Sequence, residues 1–105
     1  MENNDLWRFL KAKPQWLAVL RECLRLAEAD RVASPHSRLA GSFDGGTVRR
    51  NVPRVAGARS MRFLVSIGLL APVASPGTFR RHVRYFVVDE PEVRNVVDAL
   101  SPQAP

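Results

Sequence analysis

Cysteine, lysine and tyrosine are scarce in this chain, and one long stretch contains no acid at all. Its 105 residues hold a single cysteine, Cys23. One thiol cannot form an internal disulfide, and alone it cannot build a thiolate zinc site. A reducing, cytoplasmic setting is therefore expected. Long apolar runs are missing too. The longest stretch without a charge, Phe63 to Phe79, is interrupted by Gly68, Pro72, Pro76 and Gly77, whereas a membrane span needs about 20 continuous apolar residues. The start, MENNDLWRF, is polar and acidic and lacks the cationic-then-apolar order of a secretion signal. Enzyme signatures are absent. Asp44-Gly45-Gly46-Thr47 is not followed by the Lys-Ser/Thr of a phosphate loop. The stretch 49–84 offers no carboxylate as a general base. Neither His36 nor His82 has a Cys, Asp or second His at ligand spacing, so no metal, cofactor or catalytic residue is expected.

What is present reads as a folded protein. Apolar residues make up 46% and charged residues 25%, ordinary values for one compact domain. That domain is expected over residues 1–100. Ser101 to Pro105 form a loose tail, because Pro102 and Pro105 deny it a helix or a ladder. The net charge is +6, and 14 of the 16 basic residues are arginine. Their placement is the informative feature. Residues 1–48 hold 7 basic and 6 acidic groups, residues 49–84 hold 8 arginines and no acid, and residues 85–105 hold 1 basic and 4 acidic groups. Concentrated positive charge attracts polyanions, of which nucleic acid is the most abundant.

Periodicity places the elements. Asn4 is a candidate cap for a helix over 5–12, with Leu6, Trp7, Phe9 and Leu10 as its apolar side. Pro14 suits the first turn of a second helix running to about Asp30. Its stripe of Leu17, Leu20, Leu24 and Ala27, widened by Trp16, Val19 and Cys23, marks a core helix. Cys23 reads as a small buried apolar residue. Arg21, Glu22, Arg25 and Glu28 fall on its solvated side. Ser34-Pro35 predicts the start of a short helix over 35–43, with Leu39, Ala40 and Phe43 inward. Asp44-Gly45-Gly46 predicts a turn. Asn51 then caps a helix over about 52–67, with Val52, Ala56, Phe63, Leu64 and Ile67 inward and Gly68 as a left-handed stop. A strand over 69–73, a turn at Ser75-Pro76-Gly77 and an alternating strand over 79–88 predict a hairpin. Val83, Tyr85 and Val87 lie on one face of the second strand, and Arg84, Phe86 and Val88 on the other. Asp89-Glu90-Pro91-Glu92 has the spacing of a capping box for a last helix over 90–100, with Val93, Val96, Val97 and Leu100 on one side. The fold class expected is α+β, mainly α.

The stretch from Ser34 to Val88 resembles a winged helix-turn-helix domain, with extra N- and C-terminal helices. The resemblance is strongest in Ser60-Met61-Arg62-Phe63-Leu64-Val65-Ser66-Ile67-Gly68-Leu69-Leu70, which is similar to the end of a recognition helix and the glycine-leucine lead into the first strand of a two-stranded wing. One departure is Asp44–Arg50, more open than the usual tight turn. The resemblance implies duplex DNA binding through the major groove, with Arg54, Arg59 and Arg62 on the recognition helix and Arg49 and Arg50 gripping phosphate just before it. Arg80, His82 and Arg84, with Arg81 near the tip, would be the cations of the wing. The implied protein is a small transcriptional regulator, repressor-like in acting by occupancy. It would work as a homodimer paired through the N-terminal helix (Leu6, Trp7, Phe9, Leu10) or the C-terminal one (Val93, Val96, Val97, Leu100). Two alternatives use the same charge: a winged-helix protein-interaction adaptor meeting an acidic partner, and an RNA or single-strand binder stacking bases on Tyr85 and Phe86.

Overall fold

A computed structural model of the protein describes residues 3–52, 58–73 and 83–101, with the backbone alone at 3 and 58–60. Helices dominate. α1 spans Asn3–Ala12, α2 Pro14–Ala33, α3 Gly45–Asn51, α4 Ala58–Ser66 and α5 Glu90–Leu100. The strands are short: β1 Phe43–Asp44, β2 Leu70–Pro72 and β3 Arg84–Val87. The class is thus α+β, mainly helical. Among the described residues, no helix is long and apolar enough to cross a membrane.

α2 is the central helix. Pro14 opens it, where no N–H donor is needed. Val19, Leu20, Cys23, Leu24 and Ala27 are buried along one side, as their spacing predicts. α1 and α5 lie against it and against each other. α1 buries Leu6 and Leu10, and α5 buries Val93, Val96 and Val97. These two stripes, the candidate dimer seams, are taken up inside the chain. α1 already includes Asn4, so that residue is not its cap, and Trp7 faces outward rather than in, 36% exposed beneath the Lys11 ammonium.

The sheet has three strands rather than two. β3 is central, antiparallel to β1 on one edge and β2 on the other. Phe43 pairs with Tyr85, Asp44 with Arg84, and Leu70 with Val87. Pro72 ends an edge strand, where its missing donor costs least. Alternation along β3 buries Tyr85 and Val87, as expected. The hairpin's outer part, 74–82, lies outside the described residues.

Further expectations need correction. The short helix over 35–43 does not form; the chain makes successive reverse turns instead, Ser37 N to Ser34 O, Ala40 N to Ser37 O and Ser42 N to Leu39 O. Ser37 Oγ accepts from Leu39 N and competes with helical bonding. Gly41, at φ +90°, turns the chain out of these turns with its N–H on the Asp30 carboxylate, and Leu39 is left exposed. Next, Asp44-Gly45-Gly46 opens α3: the Asp44 carboxylate accepts from Thr47 N at 3.2 Å, a side-chain N-cap. Asn51 therefore ends α3 instead of capping the following helix. Finally, the capping box at Asp89 is not made. Asp89 sits at φ +52° with no side-chain cap bond. Gly68, at φ +84°, does end the α4 segment in the left-handed region.

Candidate nucleic-acid interface

α4 is held from beneath. Met61 and Leu64 are fully buried, and Phe63 meets Trp16 of α2 at 4.9 Å and Phe9 of α1 at 5.9 Å between ring centroids. Phe9 and Trp16 complete the triangle at 6.3 Å. This trio is packing between three helices, as expected of Trp16 and Phe63. With that face inward, Arg62 and Ser66 face solvent. Helical spacing puts position 59 on the same face, though the Arg59 side chain lies outside the described residues, as do Arg54, Arg80, Arg81 and His82.

Arg49 and Arg50 occupy the last turn of α3, where a cation is favoured by the helix dipole. Their guanidinium groups converge over Gly46. A Cβ placed on that glycine would lie 3.1 Å from Asp44 Oδ2 and 3.7 Å from both Arg49 Nη2 and Arg50 Nη1, so the Asp44 carboxylate lies near these cations. Arg50 Nη2 donates to Thr47 Oγ1 at 3.0 Å, and Thr47 Oγ1 is 3.2 Å from Asp44 Oδ2. The helix cap thus also orients a cation. The second carboxylate oxygen of Asp44, Oδ1, is buried without a hydrogen-bond partner among the described residues.

Four acids are engaged in ion pairs away from α4. Among the described residues, Glu22 pairs with Arg25, Glu28 and Glu90 with Arg31, and Asp30 with Arg84. Arg49, Arg50 and Arg62 take part in none of these ion pairs. Arg84 differs from the expectation. Its Nε donates to Ser42 Oγ at 2.8 Å, and its Nη2 to Ser42 O at 2.8 Å and to Asp30 Oδ1 at 3.1 Å. These bonds fasten β3 to the end of α2, with the Arg84 side chain 36% exposed. Ser42 is fully buried, so its hydroxyl and carbonyl require such a donor. The sequence carried no periodic signal for this fastening, which joins residues 42 and 54 positions apart. The Asp44–Thr47 spacing of α3, by contrast, is a readable cap signal that the two glycines obscured.

Two groups are shifted by their surroundings. Hydrogen bonding from Arg25 is the main cause holding the Glu22 carboxyl below its ordinary value. Burial pushes the Cys23 thiol up to about 12. Tyr85 is buried beside Phe43, with ring centroids 6.4 Å apart, so it is no stacking platform for bases; Phe86 is half-buried. His36 is exposed. Comparison with models of known protein families, with curated proteins and with solved structures returns no match.

Proposed function

We propose that the chain binds duplex DNA in the winged helix-turn-helix manner, as a small regulator that occupies its site. One observation carries this reading: Arg62 on α4 and Arg49 and Arg50 at the end of α3 take part in none of the ion pairs found among the described residues. α4 is fixed from below by buried Met61 and Leu64 and by the aromatic trio, while Arg62 stands outward. Helix, helix and hairpin follow in the order such a domain requires, α3, α4, then β2 and β3. In this reading α4 enters the major groove and Arg62 takes guanine O6 and N7 with two hydrogen bonds. Arg49 and Arg50 take phosphates, which fix position without reading sequence. Arg54, Arg59, Arg80, Arg81 and His82 keep the roles assigned from sequence. Two copies would double the contact, using surface other than the buried stripes of α1 and α5.

Selection of bound duplexes from a random pool tests this directly. A symmetric enriched site is expected, its half-site spacing giving the pairing geometry. Arg62→Ala should weaken the selected site by roughly 5- to 150-fold, the value of one bidentate pair, and weaken random duplex much less. Equal weakening of both moves Arg62 to phosphate. Duplex binding no tighter than binding to an unrelated acidic protein at moderate salt ends the reading.

A further inference from the structure

Between α2 and the end of α3 lies an open cleft of about 420 Å³, lined by Ala18, Arg21, Glu22, Arg25, Asn51 and Val52. We propose that this cleft receives the sugar-phosphate backbone of the bound duplex, with Arg21 and Arg25 of α2 as its phosphate contacts. The inference rests on the duplex-binding reading and extends it to a helix outside the arginine-rich middle third.

Glu22 organises the cleft. Its carboxylate accepts from Arg25 Nε and from Arg25 Nη2 at 2.8 Å, and from Asn51 Nδ2 at 3.1 Å. α2 is thereby tied to the last residue of α3. The Glu22 side chain is only 13% exposed against 61% for Arg25, so the carboxylate lies beneath and the guanidinium lies above, toward solvent. Glu22 occupies the Nε and Nη2 edge of Arg25 and leaves Nη1 with donors for an incoming anion. Arg21 is exposed and has no ion-pair partner among the described residues. Glu22 offsets one of the two cations, and the described residues of the lining keep one net positive charge.

The lining also selects the kind of anion. Among the described residues it contains no aromatic ring on which a base could stack, and its apolar members there are Ala18 and Val52. A free nucleotide would find charge here but no seat for its base, whereas a backbone phosphate needs charge alone. Position is the second ground: Asn51, the last residue of the helix that carries Arg49 and Arg50, forms the rim.

The test compares wild type, Arg21→Gln and Arg8→Gln on one duplex between about 50 and 200 mM salt. Arg8 is another exposed arginine, on α1, that does not line the cleft. The slope of log affinity against log salt should become shallower by about 0.9 in Arg21→Gln, which neutralises one phosphate fewer. Arg8→Gln should keep the wild-type slope. Equal slopes in wild type and Arg21→Gln overturn the cleft contact and leave duplex binding standing. The same slope change in both variants also overturns it, as an effect of net charge. Absence of duplex binding by wild type overturns both the cleft contact and the reading beneath it. Arg21 and Arg8 are both exposed, so matched thermal melts are expected for all three proteins.

Discussion

Arg84 and Arg62 carry the same charge in the same acid-free stretch, and the fold assigns them opposite tasks. Arg62 faces solvent from α4, while Arg84 is drawn onto Ser42 and Asp30. Arg84→Ala leaves a buried serine carbonyl and a half-buried carboxylate short of donors. Hydrogen bonds to charged groups contribute about 1.5–3 kcal/mol, and partial exposure of this pair lowers that to about 1–2 kcal/mol. Denaturant unfolding should show this loss, while the salt slope of duplex binding stays at the wild-type value. A flattened slope with unchanged stability would return Arg84 to the DNA face. Cys23 makes a second residue-scale prediction. Its thiol is held up to about 12 by burial, against an ordinary value of 9.0. Because the folded value is raised, the neutral thiol favours folding fully below about pH 9. That contribution is then lost as pH rises toward 12, at up to about 1.4 kcal/mol per pH unit. The stability difference between wild type and Cys23→Ala should shrink over that window and be flat below it. A difference independent of pH would place the thiol in contact with water.

At the scale of the element, α3 rests on a close approach that its sequence hides. A glycine in a helix ordinarily costs about 1 kcal/mol relative to alanine, so Gly45→Ala would be expected to stabilise. Here a Cβ on Gly45 would stand 2.7 Å from Cε2 of Tyr85, a ring buried against Phe43. The sign therefore reverses. Gly45→Ala should destabilise by about 1–3 kcal/mol, as overpacking of a core does, and the near-ultraviolet signal of Tyr85 should change with it. Stabilisation by this substitution would mean that α3 does not sit on β3 at this distance. Gly45 also shows where sequence reading reaches its limit. α2, α5, β2 and the buried face of β3 follow from periodicity because each depends on local spacing that burial then rewards. The glycine pair before Thr47 has no such periodicity. Two glycines and an aspartate favour a turn on local grounds; the Asp44 cap and the packing on Tyr85, distant in the sequence, together make the first glycine a helix start. β1 was hidden for the same reason, since two residues become a strand only by pairing with β3. At the candidate site, the outward position of Arg62 was legible from helical spacing. The inward turn of Arg84 was not, because alternation along a strand names the face but not the partners waiting there.

Across the whole molecule, charge is sorted twice, along the chain and then by pairing. The ion pairs among the described residues use acids from the two ends of the sequence, and three of the four pair them with arginines that also lie outside the middle third. Exposed pairs of this kind contribute little to stability. Their larger effect is to offset Arg25 and Arg31 of α2 and leave the arginines of α3 and α4 as net charge. Outside residues 49–84 there are 10 acids against 8 bases, so the net positive charge of the chain comes from that stretch, to which Arg49, Arg50 and Arg62 belong. A polyanion reads that arrangement as a count of neutralised phosphates. Arg49 and Arg50 alone give a slope of about −1.8 in log affinity against log salt, at about −0.9 per phosphate contact, and the cleft arginines steepen it further. A tenfold rise in salt should then weaken duplex binding by about 60-fold or more. Binding to an acidic protein, with its lower charge density, should weaken far less under the same change. The measurement is a titration of each partner at stepped salt. A duplex slope shallower than about −1 would mean that α3 does not present these guanidinium groups together, whatever each does alone.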